Sequence, residues 1–130
     1  MPTKYNKYGL TAIESTLAES DPIESWSLAV DTYLESKSSR DKACPKNAFL
    51  GLCEAGLVKG IKADSYFKKN KLNLNKKYAV TAVNILRRNE SVSKKELWLK
   101  VREELGLGDK RHNSQMDVVL ALWENDLIIK

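Results

Sequence analysis

Two cysteines, one histidine and a set of lysines are the residues of this chain with chemistry to offer, so the question of function starts with them. Cys44 precedes Pro45 and an apolar run, which places it at the N-terminus of a predicted helix. The positive end of a helix lowers a thiol pKa and makes the thiolate more available. His112 stands just before a matching run later in the chain, so a twofold arrangement would bring the two together as nucleophile and base. The plainer reading is a small residue before a proline and a solvated loop histidine. A catalytic cysteine needs a positioned base, and spacing alone supplies none. Cys53 lies nine residues further along the same predicted helix. At about 1.5 Å rise per residue the two sulfurs are about 13 Å apart, beyond disulfide reach if the helix is continuous.

Other catalytic and cofactor classes find less support. One histidine and two distant cysteines cannot supply a four-ligand zinc site. Glu103 and Glu104 read as solvated charge on a helix face. Gly106-Leu107-Gly108 lacks the third glycine and the preceding strand of a phosphate-binding loop. The expectation is a protein without cofactor, metal or catalytic residue, and not an enzyme; a cysteine-dependent enzyme ranks a distant third.

The lysines are placed unevenly. Residues 1–58 carry 6 Lys and Arg against 8 Asp and Glu, residues 59–77 carry 7 lysines against one Asp, and residues 78–130 carry 9 against 8. The net charge of +5 therefore resides in the middle of the chain. Lys62, Lys68, Lys69 and Lys71 there, with Lys110, Arg111, His112 and Asn113 further on, are the candidate polyanion-binding residues.

The elements that must position these groups come in two copies. Ala48-Phe49-Leu50-Gly51-Leu52-Cys53-Glu54-Ala55-Gly56-Leu57-Val58 returns 70 residues later as Val118-Val119-Leu120-Ala121-Leu122-Trp123-Glu124-Asn125-Asp126-Leu127-Ile128. Leu50/Leu120, Leu52/Leu122, Glu54/Glu124 and Leu57/Leu127 are identical. Lys7-Tyr8-Gly9-Leu10-Thr11-Ala12-Ile13 returns at the same offset as Lys77-Tyr78-Ala79-Val80-Thr81-Ala82-Val83. Between these, Asp21-Pro22 with Glu24 and Ser93 with Glu96 are helix-start signals, and Trp26 and Trp98 follow each by five residues. We read an internal duplication: repeat 1 over 7–58, a basic connector over 59–76 and repeat 2 over 77–130. The whole is expected to be one cooperative all-α domain of six main helices.

The periodicity assigns faces to these helices. Leu10, Ile13 and Leu17 form the apolar stripe of the first, and Ile23, Trp26, Val30, Tyr33 and Leu34 that of the second. Pro45 is placed at the first position of the third helix, and Ser114 caps its counterpart. In that counterpart Met116, Val119, Leu120 and Trp123 point to the core, leaving Gln115, Val118, Leu122 and Asn125 outside. The matching outer stripe of the first copy is Pro45, Ala48, Leu52 and Ala55. Gly56, and Asn125 or Asp126, are the expected left-handed helix ends. The tails Leu57-Val58 and Leu127-Ile128-Ile129 are short but suited to pairing with one another.

Three helices of these lengths with short turns resemble the helix-turn-helix and winged-helix class, with the wing absent or reduced to a short apolar strand. That resemblance implies a DNA- or RNA-binding regulator using the connector and Lys110–Asn113. The apolar outer stripes oppose it, because a recognition helix needs polar side chains against base edges. Ala48, Leu52, Val118 and Leu122 are instead the candidate protein interface, covered by the other repeat, by a homo-oligomer or by another protein. The leading expectation is thus a non-catalytic protein-binding protein, with nucleic acid as the alternative. Separately, Cys44-Pro45-Lys46-Asn47-Ala48-Phe49-Leu50-Gly51-Leu52-Cys53 together with Asn113-Ser114-Gln115-Met116-Asp117-Val118-Val119 resembles an uncharacterised family of small bacterial proteins, which implies no function. Without a secretory segment or a run long enough for a bilayer, the expected location is the cytoplasm and no membrane partner.

Overall fold

A computed structural model describes residues 6–18, 21–34, 36–37, 43–64, 66, 74–88, 92–108 and 114–129. These form six helices: α1 Lys7–Leu17, α2 Pro22–Tyr33, α3 Ala43–Glu54, α4 Leu74–Arg88, α5 Lys94–Leu105 and α6 Gln115–Glu124. Among the described residues the one β feature is an isolated antiparallel bridge between Val58 and Ile128.

The helix starts follow local chemistry. Asn6 caps α1, its side chain accepting from the N–H groups of Tyr8 (3.1 Å) and Gly9 (3.0 Å). Asp21 caps α2 by accepting from Ile23 (2.9 Å) and Glu24 (3.2 Å), with Pro22 at the first position, where its missing N–H is no loss. Ser93 and Glu96 close a reciprocal capping box on α5. Two starts differ from expectation. α3 begins at Ala43, so Cys44 and Pro45 lie inside its first turn. Ser114 precedes α6 in a left-handed conformation (φ 68°) and makes no side-chain cap.

The ends of α3 and α6 share their reversal but not every bond: the Ala55 N–H returns to the Gly51 carbonyl (3.0 Å), whereas the Ala121 carbonyl accepts from the Asn125 side chain (2.7 Å). Gly56 takes φ 75°, a conformation open to it without a β-carbon, and Asp126 takes φ 60° at the equivalent place. Leu57 N–H returns to the Leu52 carbonyl (3.0 Å) and Leu127 N–H to the Leu122 carbonyl (2.9 Å). The tails then pair as their sequence suggests. Lys59 N–H donates to Leu127 (2.9 Å) and Ile129 N–H to Leu57 (2.8 Å), on either side of the Val58–Ile128 bridge.

Packing places α3 and α6 together at the centre. α1 packs on α2 and on α6, while α4 packs on α3, α5 and α6. The first helix of the chain therefore leans on the last one rather than on α3 of its own half. One hydrophobic cluster runs through all six helices, from Tyr8 and Trp26 to Leu97 and Trp123. Trp26 stacks on Phe49 at 5.4 Å, whereas Trp98 meets Tyr78 edge-on at 5.6 Å.

Three expected faces are corrected. α1 buries Tyr8, Gly9, Thr11, Ala12, Ser15 and Thr16, while Leu10 and Ile13 are half-buried and Leu17 is 64% exposed. The hydroxyls tolerate this because each returns a bond to its own helix: Thr11 to Lys7 (2.7 Å), Ser15 to Thr11 (2.7 Å) and Thr16 to Ala12 (3.0 Å). On α2, Trp26, Val30 and Leu34 are buried but Ile23 is exposed. On α6, Gln115, Val118 and Leu122 are as buried as Met116 and Val119, leaving Asn125 outside and Leu120 half-buried. A helix that is apolar on every side belongs in the middle of a protein, and α6 sits there.

Candidate functional site

Burial divides the candidate residues first. Ala48, Leu52, Val118 and Leu122 are each 0% exposed, covered by the packing of α3, α4, α6 and α1 on one another. The stripe they form is met from within the chain and is not a surface for a partner to reach.

Cys44 is a free, half-buried thiol in the first turn of α3. Cys53 is a free thiol at 0% exposure, and burial pushes its pKa far above the ordinary thiol value. It packs within the hydrophobic cluster. Both cysteines lie on the continuous helix α3, which keeps them apart. His112 lies outside the described residues, and no group of three His, Cys, Asp or Glu among the described residues comes together as a metal site would need.

Of the candidate cations, Lys62 is exposed, with its carbonyl accepting from the Tyr66 hydroxyl (2.5 Å). Lys68, Lys69, Lys71, Lys110, Arg111, His112 and Asn113 lie outside the described residues. Where the connector is described, it is organised by a carboxylate that sequence reasoning registered only as one of the repeated identities. Glu54, at the last turn of α3, accepts the Lys76 ammonium on one oxygen (2.7 Å) and the Tyr66 N–H on the other (3.0 Å). Both side chains of the ion pair are largely covered, Lys76 at 33% and Glu54 at 22% exposure. A residue from the middle of the connector and its last residue are thus drawn to one point on α3. The signal in the sequence was the identity of Glu54 with Glu124; the identity of its partners was not there to be read.

A surface cleft of about 260 Å³ opens between α4 and α5, with Ile85 at its floor and Arg88, Lys100, Glu103 and Glu104 at its rim. Arg88 reaches across it to Glu104 (2.5 Å). Neighbouring ties hold the same helices: Lys94 to Asp117 (2.9 Å) from α5 to α6, and Gln115 to Asn75 (2.9 Å) from α6 to α4. These polar contacts fix helix positions and leave no array of nucleophile, base and oxyanion donor among the described residues.

A family of unknown function, DUF6979, matches residues 3–129. The chain belongs to that family. The match spans all six helices of the described residues. No curated protein and no solved structure matches the chain. No helix among the described residues is long and apolar enough to cross a membrane.

Proposed function

We infer that this member of DUF6979 is a non-catalytic cytoplasmic protein that binds another protein through the outer side of α1. The observation that carries this reading is the orientation of α1. Its small and hydroxylated side faces the core, Ile13 packs at the edge of the core cluster, and Leu10 is left half-buried and Leu17 exposed. Leu17 at 64% and Ile23 at 39% exposure are large apolar side chains open to solvent on α1 and α2. Outward apolar side chains are the means by which a helix docks into a partner's groove. The stripe on α3 and α6 plays no part, because it is buried in the chain.

The alternative is a polyanion-binding connector, favoured by the charge of residues 59–77 and by the exposure of Lys62 beside Tyr66. One experiment separates the two. Tagged protein is used as bait, with and without nuclease, beside the variants Leu17→Glu and Lys68→Gln/Lys69→Gln/Lys71→Gln. A partner that survives nuclease and is lost with Leu17→Glu, at unchanged helicity, supports the α1 reading. A nuclease-sensitive partner lost with the triple variant replaces it with the alternative. In that case the log–log salt slope of binding flattens by about two to three units in the triple variant, at about 0.7–0.9 for each phosphate contact.

A further inference from the structure

The two halves of the chain meet along a surface that in large part maps onto itself, the Lys59–Asp126 and Glu54–Lys76 ion pairs being exceptions. Shifting every residue number by 70 exchanges the two hydrogen bonds of the bridge, Lys59 to Leu127 and Ile129 to Leu57. The same shift turns the Leu57–Leu52 bond into the Leu127–Leu122 bond. It turns the packing of α1 on α6 into that of α4 on α3, and leaves α3 on α6 unchanged. Contacts that survive the exchange of the two sides are the mark of an isologous interface, the kind made by two copies of one subunit.

We propose that the surface between residues 7–58 and 77–129 is a complete subunit-type interface whose further partner is a second copy of this chain, the halves of two chains pairing reciprocally. The reasoning is one of contacts conserved. Leu52 and Val58 from one half and Leu122 and Ile128 from the other are all 0% exposed, so both halves are needed to cover them. Each contact between the halves is made equally well by residues 7–58 of one copy and 77–129 of another. Only the path of the connector differs. The choice between one closed chain and an exchanged pair then depends on how the effective concentration supplied by the connector compares with the protein concentration. For two modules joined by a short linker the former is about millimolar. The closed monomer prevails in dilute solution, and the exchanged pair forms when chains refold near or above that value. Interconversion requires opening the shared core, so a pair once formed outlasts dilution.

Two measurements on the full chain test this. In the first, the protein is unfolded and refolded at concentrations from micromolar to millimolar and sized by light scattering. A discrete dimer whose share rises with refolding concentration and persists on dilution is expected. Monomer at every concentration, or open-ended oligomers in place of a dimer, overturns the exchange. In the second, a specific protease site is inserted between Lys69 and Asn70 and cut after folding. The fragments are expected to stay together at the mass of the intact chain with its helicity unchanged. Fragments that separate or unfold show that the interface is not complete in itself.

Discussion

Gly51 of α3 and Lys76 of α4 approach so closely that a β-carbon on the glycine would stand 2.6 Å from the lysine Cα and 2.5 Å from its Cβ. The glycine lets the start of α4 lie flat on α3, and that approach brings the Lys76 ammonium to Glu54. Gly51→Ala forces the two helices apart, since backbone and Cβ cannot turn aside as a side-chain tip can. A loss of about 1–3 kcal/mol in denaturant unfolding is expected, the usual cost of overpacking. A neutral result would mean that α4 sits further from α3 than described.

Leu52 and Leu122 are fully buried in one cluster on two helices that pack together. Truncating either to Ala is expected to cost about 2–5 kcal/mol. The double variant should depart from the sum of the single effects by about 0.5 kcal/mol or more, as for residues sharing one packed environment. Strict additivity in chemical denaturation would place the two leucines in separate cores.

The two thiols should differ in reactivity. In the native protein a maleimide is expected to label Cys44, which is partly accessible, and to leave Cys53 unlabelled until the chain unfolds. Cys44→Ser should leave binding intact. A variant that folds normally but loses its biological effect would restore a catalytic or redox role for that sulfur.

The legible and illegible parts of this fold separate by mechanism. Asp21 and Ser93 announced their helices because a cap is a local bond within three residues. The pairing of Val58 with Ile128 was legible from the repeated tails. The face of α1 was not, since apolar spacing pointed to Leu10, Ile13 and Leu17. It gave no sign that Thr11, Ser15 and Thr16 satisfy themselves on their own helix and leave a slim side for close packing. Likewise the polar Gln115 looked external, and its bond to Asn75, 40 residues distant, is a tertiary fact. The candidate site suffered the same division. The burial of Leu52 and Leu122 was foreseeable from the repeat, whereas the joining of Tyr66 and Lys76 at Glu54 was not.

The capping box of α5 carries a pH dependence whose sign is fixed. The Ser93 N–H, followed by its hydroxyl, favours the charged form of Glu96 and lowers its pKa. A carboxylate depressed by folding stabilises the fold above its ordinary value, and that contribution is lost as pH falls through the folded value. Glu96→Gln keeps an acceptor for the Ser93 N–H without the titration. Wild-type melting temperature should therefore fall more steeply than that of the variant below about pH 5, as the carboxylate protonates. Parallel curves would show that the box contributes no charge-dependent stability.

The bridge between Val58 and Ile128 also sets a timetable for biosynthesis. A nascent chain can form the α1–α2 hairpin early and lay α4 on α3, but the side of α3 that meets α6 waits while 60 further residues are added to reach α6. At about 5–20 residues per second that interval lasts several seconds. During it the growing polypeptide displays an apolar helix next to the ribosome, so demand for chaperone protection should peak over the second half of translation and end when Ile128 clears the exit tunnel.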